Sequence, residues 1–212
     1  RKISDKTFAN TITKNSWGTL PEFLQSVNKN ACNGSIITDL ATKAHLLMCI
    51  RTGVISSLEW DWYDDKEDIW IIPSQTSGLK RKRFNLENNH IIPSTPEINQ
   101  LMKKTKEITG LYKYCFTSLG GKNKKHLGAE TINDHFKNLG WKDKQSAHQW
   151  RSVITTASRE HNFDYEIIDR QLGRMGHLNG TRGHYDRSTL LDKRREFMEW
   201  WSKTLIEQGL RI

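Results

Sequence analysis

Apolar residues recur at intervals of three and four from Ile36 to Ile50, the period of a helix with a buried face. This stretch predicts a core helix that runs out at Arg51 and is ended by Gly53. Pro21 opens a shorter helix over 21–27, because proline suits a first turn whose N–H groups have no intrahelical partner. Residues 1–17 show little periodicity and read as an extended lead-in, and Leu58, Trp60 and Trp62 read as a short turn that packs back. Two β-rich runs, Ile69-Trp70-Ile71-Ile72-Pro73 and His90-Ile91-Ile92-Pro93, flank a polar, very basic stretch. They predict an antiparallel hairpin with Lys80-Arg81-Lys82-Arg83 near its tip. From Pro96 onward the pattern is helical, with helices expected at 96–108, 129–138, 146–160, 165–172 and 190–208. The last of these carries Phe197, Met198, Trp200, Trp201, Leu205 and Ile206, a set that reads as core before it reads as a docking face. The expected fold class is α+β, mainly α-helical with a small antiparallel sheet. A lead-in over 1–20 precedes a single domain over 21–212.

Composition narrows the function classes. The 212 residues include 8 Trp, 7 Phe and 5 Tyr, too aromatic for a disordered chain. No run of about 18 apolar residues exists to span a membrane. The first residues, Arg1-Lys2-Ile3-Ser4-Asp5, carry no apolar stretch, so no secretory signal is expected. Cys32, Cys49 and Cys115 are odd in number and widely spaced, which suggests reduced thiols in a cytoplasmic protein. Charge is unevenly placed. Residues 1–75 hold 8 Lys/Arg and 9 Asp/Glu, whereas residues 76–212 hold 25 and 15, a net +10. A domain biased in this way attracts polyanions, and a phosphate backbone is the commonest of them.

Four features carry chemistry, each with an ordinary reading beside the functional one. Arg51 stands where the core helix ends; a cation there also favours the helix dipole. In His148-Gln149-Trp150-Arg151, the histidine and arginine are three apart and share a face if the segment is helical. Each raises the cost of charging the other, yet together they suit one phosphate, which takes a guanidinium fork and an imidazole donor. Leu172-Gly173-Arg174-Met175-Gly176-His177 opens a glycine-rich, basic loop that leads to Tyr185 among Arg182, His184 and Arg187, where positive charge favours a phenolate. The run Lys80 to Arg83 is either a solvated charge cluster or a lysine delivered to a DNA groove.

The order Arg, Lys, His-x-x-Arg, Gly-His, Tyr resembles the catalytic domain of the tyrosine recombinases, the phage integrase family, and within it the prophage and genomic-island integrases. The likeness runs from about residue 20 to residue 201. It takes in Glu59-Trp60-Asp61, Trp70-Ile71-Ile72-Pro73, the Ile-Pro that closes the hairpin, and Tyr185-Asp186-Arg187 followed by the helix from Arg194 to Trp201. It implies Arg51 as the first catalytic arginine, His148 and Arg151 as the His-x-x-Arg pair, Lys80 or alternatively Lys82 as the lysine, and Tyr185 as the nucleophile. His177 is preferred over Arg174 for the penultimate site, where the family commonly has histidine. One departure stands out: the family commonly has Arg-x-Gly-Glu, and Val54 takes the place of the acid.

The implied function is a site-specific DNA recombinase that cleaves and rejoins DNA through a 3′-phosphotyrosine to integrate or excise mobile DNA. The implied partners are double-stranded attachment sites and further copies of the chain in a tetramer on DNA, with no membrane. No cofactor and no metal is called for, since the acids are scattered and guanidinium groups do the electrostatic work. The family's N-terminal core-binding and arm-binding domains do not fit into some 20 residues, so a catalytic-domain fragment is expected. A DNA-binding protein with a decayed site, motivated by Val54 and the split Gly-His, and a type IB topoisomerase-like enzyme are the alternatives.

Overall fold

The computed structural model describes residues 11–29, 35–79, 89–120, 125–174 and 190–212. Lys80, Lys82, His177 and Tyr185 therefore lie outside the described residues, as does Cys32. Helices α1 (Leu20–Asn28), α2 (Ile36–Met48) and α3 (Thr52–Ser56) lead into strands β1 (Tyr63–Asp64), β2 (Ile69–Ile72) and β3 (His90–Pro93). Helices α4 (Pro96–Thr109), α5 (Thr131–Phe136), α6 (Trp150–Glu160), α7 (Tyr165–Gln171) and α8 (Leu191–Glu207) follow. The expected class holds: helices predominate around a three-stranded antiparallel sheet of order β1-β2-β3.

The hairpin pairs as its alternation requires, with Trp70 opposite Ile92 and Ile72 opposite His90. The strand Tyr63–Asp64, which the sequence pattern did not predict, adds a third strand through Tyr63 opposite Trp70. Asp68 holds that turn: its carboxylate accepts from Tyr63 Oη at 2.7 Å and from Asn99 Nδ2 at 3.0 Å. Sheet and last helix are joined by side chains from α8. Arg195 donates to the Glu67 carbonyl at 2.9 Å, and the buried Arg194 donates to Gln171 Oε1 and to the Ile91 carbonyl.

Helix α2 is buried almost all round, with Ile37, Ala41, Leu46, Leu47 and Met48 excluded from solvent. Ser35 caps its start by accepting the Ile37 N–H at 3.2 Å. Its stop differs from the expected one. The helix ends on Cys49, a non-glycine residue in the left-handed region at φ 60, and Gly53 lies inside α3. Left-handed backbone costs a side-chain-bearing residue roughly 1–2 kcal/mol. Local hydrogen bonds offset that cost here, since the Cys49 N–H reaches the His45 carbonyl at 3.2 Å and its thiol the Leu47 carbonyl at 3.3 Å.

The aromatic core joins the remaining helices. Phe23 of α1 packs edge-on to Phe136 and Trp141, and Trp150 of α6 lies 5.8 Å from Trp201 of α8, centroid to centroid. The core reading of α8 agrees with this, with Phe197, Met198, Trp201 and Leu205 fully buried. Residues 11–19 also pack onto the helices: Ile12 is buried, and Trp17 stacks on His161 at 5.1 Å. Among the described residues, no helix is long and apolar enough to cross a membrane.

Candidate active site

The site grows out of one unsatisfied helix end. The last carbonyls of any helix have no intrahelical donor, and in a buried helix they must find one elsewhere. In α2 the Leu46 carbonyl accepts two indole N–H groups, from Trp150 at 3.2 Å and from Trp201 at 2.9 Å. The Cys49 carbonyl, turned inward by the left-handed residue, accepts from Arg151 Nη1 at 3.4 Å. His45, one turn earlier, hydrogen-bonds the Ala147 carbonyl through Nε2 at 2.9 Å. Burial pushes the pKa of His45 down to about 4, so it is a neutral imidazole that donates to that carbonyl. These contacts draw the start of α6 against the end of α2, and so bring Arg151 to the same place as Arg51.

Arg51 itself is the N-cap residue of α3 and is half-buried, with Nη1 donating to the Leu79 carbonyl at 3.2 Å. Leu79 is followed in the chain by Lys80. Arg151 is only 4% exposed, and its second donor, Nη2, reaches the Leu172 carbonyl at 2.6 Å. Both guanidinium groups are thus aimed by neutral carbonyls, which leave their charge intact. Val54 is fully buried in the hydrophobic core, and among the described residues no ion pair reaches Arg51.

A third guanidinium belongs to the cluster. Helix α7 ends in a two-bond cap in which the Gly173 N–H reaches the Arg170 carbonyl at 3.1 Å and the Arg174 N–H reaches the Asp169 carbonyl at 2.8 Å. Gly173 sits at φ +62, and a side-chain carbon there would lie 3.5 Å from the His90 ring. The left-handed backbone calls for glycine at this position, while the His90 ring would lie at ordinary contact distance from a side-chain carbon. The cap turns Arg174 back over α6, where Nη1 donates to Thr155 Oγ1 at 3.1 Å and Nη2 to the Arg151 carbonyl at 3.2 Å.

Electrostatics follow from this crowding. Burial, and then the charges of Arg51 and Arg174, pull the pKa of Arg151 well below the usual guanidinium range, to about 9. Burial, followed by Arg174, lowers that of Arg51 as well. The Asp169 carboxylate, 3.5 Å from Arg174 Nη1, is the acid that eases Arg151. Among the described residues, Arg51, Arg151 and Arg174 lie close enough for their charges to act on one another, and an anion would relieve that repulsion.

The structure brings Arg51 and Arg151 together, with Arg174 beside them. His148 is exposed and lies in the turn before α6, since the helix begins at Trp150 and not at 146. The shared helical face expected for His148 and Arg151 is therefore replaced by a turn contact, in which the Arg151 N–H reaches the His148 carbonyl at 3.4 Å. Sequence reasoning passed over His45, Thr155 and Asp169. Only one signal pointed toward them: a glycine just past a helix end fixes the direction of the residue after it.

No family model matches the chain. It is 29% identical to the integrase of Shigella phage Sf6 over 179 residues, which are 83% of this chain and 44% of that protein. The prophage integrase IntS of Escherichia coli (strain K12) is similar at the same identity and coverage. The integrase of Enterobacteria phage P4 is 26% identical over 193 residues, 87% of this chain and 43% of that one. The chain thus spans less than half the length of these curated relatives. Among solved structures, the crystal structure of XerA recombinase superposes with a TM-score of 0.53 at 14% identity. That match covers 90% of this chain and 62% of the other, and it speaks to the fold alone.

Proposed function

We propose that this chain, integrase-like in sequence and recombinase-like in fold, is the catalytic domain of a tyrosine site-specific recombinase that cuts and rejoins double-stranded DNA to integrate or excise mobile DNA. The observation that carries this reading is the convergence of Arg51 and Arg151, both aimed by backbone carbonyls, with Arg51 lacking an ion pair among the described residues. Such a pair suits a phosphodiester. Its two non-bridging oxygens accept bidentate guanidinium forks, and the charge that builds on them during attack is met by donors already in place.

In this reading the Tyr185 oxygen attacks phosphorus, the bond from phosphorus to the 5′-oxygen breaks, and a 3′-phosphotyrosine forms. The phenol proton passes to His148, and the departing 5′-oxygen takes a proton from Lys80. The covalent linkage conserves the bond energy, so a 5′-hydroxyl can reverse the reaction without ATP. His177 contributes a further donor to the phosphate. The attachment sites are bound by a tetramer on cytoplasmic, nucleoid DNA.

The test uses a nicked duplex whose cleavage releases a short 5′-hydroxyl fragment and so traps the covalent adduct. Wild-type chain should form a protease-sensitive DNA–protein adduct, and Tyr185→Phe should form none. An adduct that persists in Tyr185→Phe refutes the assignment of the nucleophile. Duplex binding without any adduct in the wild type marks a DNA-binding protein and refutes the enzyme.

A further inference from the structure

The turn that carries His148 is gripped from two other helices at a single residue. Ala147 is only 1% exposed, and each of its backbone groups meets a side chain from a different element. Its N–H donates to Asn133 Oδ1 of α5 at 3.2 Å, and its carbonyl accepts from His45 Nε2 of α2 at 2.9 Å. The Ala147 carbonyl and the His148 nitrogen belong to one planar peptide, so the His45 bond fixes the plane from which His148 departs. The Asn133 bond fixes the peptide before it. His148 itself is exposed, and the buried residue ahead of it is where the interior takes hold of the turn.

His45 is a costly side chain for its place. It is wholly buried, the Phe136 ring of α5 meets it edge-on at 6.4 Å, and its Nδ1 has no hydrogen-bond partner among the described residues. A leucine would fill the volume without an unpaired nitrogen; what the imidazole adds is the donor for Ala147. Positive charge on His148 acts on this ring in the same direction as burial and holds it neutral. The clamp therefore keeps its protonation state while His148 gains and loses a proton.

We infer that His45 and Asn133 are positioning residues for the cleavage step, setting the backbone of His148 and so aiming its imidazole at the proton of the nucleophile. Neither touches the reacting atoms. The inference rests on the proposed recombinase reading for the role of His148, and on the two hydrogen bonds to Ala147 for the clamp itself.

The first measurement is the single-turnover rate of adduct formation on the nicked duplex, with duplex affinity followed alongside. Asn133→Ala and His45→Leu should each slow cleavage roughly ten- to a hundredfold, as for a misplaced catalytic group, with affinity held within about twofold. Asn133→Asp keeps an oxygen for the Ala147 N–H, and His45→Gln brings an amide N–H near the place of Nε2; both should stay within about threefold of wild type. In a His148→Ala background, Asn133→Ala and His45→Leu should cost no more than about twofold further, because the group they act through is gone. A generally damaged fold would lose the same factor in both backgrounds.

The second measurement needs no DNA. The ¹⁵N order parameter of the His148 amide, about 0.85 for rigid backbone, should fall toward about 0.6 in Asn133→Ala and in His45→Leu. If His45→Leu does not fold, Asn133→Ala, at a half-buried position, carries both expectations. Equal losses with and without His148, or an amide as rigid in the folded variants as in the wild type, overturn the inference and leave the recombinase reading in place. A wild type that forms no adduct, while its His148 amide loosens in the variants, refutes the recombinase reading and leaves the clamp standing.

Discussion

Raising the pH should stabilise the native chain relative to Arg151→Met. In the fold burial and the neighbouring arginines hold the pKa of the Arg151 guanidinium at about 9, well below its ordinary value, so the native state holds this proton less tightly than the unfolded state does. For a base whose folded pKa is lowered, the full penalty applies below about pH 9 and is relieved as pH climbs from there toward the ordinary guanidinium value. By the linkage relation, wild-type stability rises by on the order of 1 kcal/mol between pH 8 and pH 10 from this group alone. Lysines and tyrosines that titrate in the same range contribute to both proteins, so the quantity to follow is the difference between wild type and Arg151→Met. The substitution also leaves the Cys49 and Leu172 carbonyls without their donor, a cost of about 1–3 kcal/mol for each that does not vary with pH. Urea titrations at 25 °C and fixed ionic strength, at half-unit pH steps, give the difference directly. Saturating phosphate should flatten the slope, because the anion holds the guanidinium charged. A difference that is constant or falls with pH would show that Arg151 carries no such strain, and the electrostatic account of the site would fail with it.

Acid should act through His45, whose pKa is lowered to about 4 and whose neutral ring joins α2 to the turn before α6. Its contribution is intact above pH 6.5 and is lost as pH falls toward 4, so His45→Asn should show a shallower acid decline in urea titrations than the wild type. Gly173→Ala places a side chain at φ +62 beside the His90 ring and should cost about 1–2 kcal/mol in thermal melts, with a larger fractional loss of phosphate affinity because Arg174 is misdirected. Trp201→Phe removes an indole donor from the Leu46 carbonyl within the core and should cost about 2–3 kcal/mol in the same melts.

Much of the fold was legible because local periodicity and core packing agree. The stretch from Ile36 gives a buried helix, the hairpin strands pair as their alternation demands, and the helix beginning at Pro96 starts at its proline. The departures share one cause: tertiary hydrogen bonds overrule local signals. Cys49 ends α2 in place of the glycine four residues later because carbonyls and a guanidinium use the turn it makes. The α6 helix starts four residues later than its pattern suggests because the preceding turn is held by Gln149, whose Oε1 accepts the Ser146 N–H at 2.9 Å, and by the His45 link to Ala147. At the site, Arg51 and Arg151 were visible as cations at helix ends. Arg174 was visible only as an alternative, because nothing in its own neighbours along the chain shows that Thr155 lies above it. Val54 proved to be plain core, which removes a carboxylate from the vicinity of Arg51 without opening a gap in the packing.

The Leu46 carbonyl is shared by two indoles arriving from separate helices. Neither α6 nor α8 can withdraw without breaking a buried indole N–H bond to that carbonyl, so the two travel as one piece. A tug on the C-terminal helix, whether from a neighbouring copy or from a tether, would thus be felt at the residue next to Trp150. That residue is Arg151.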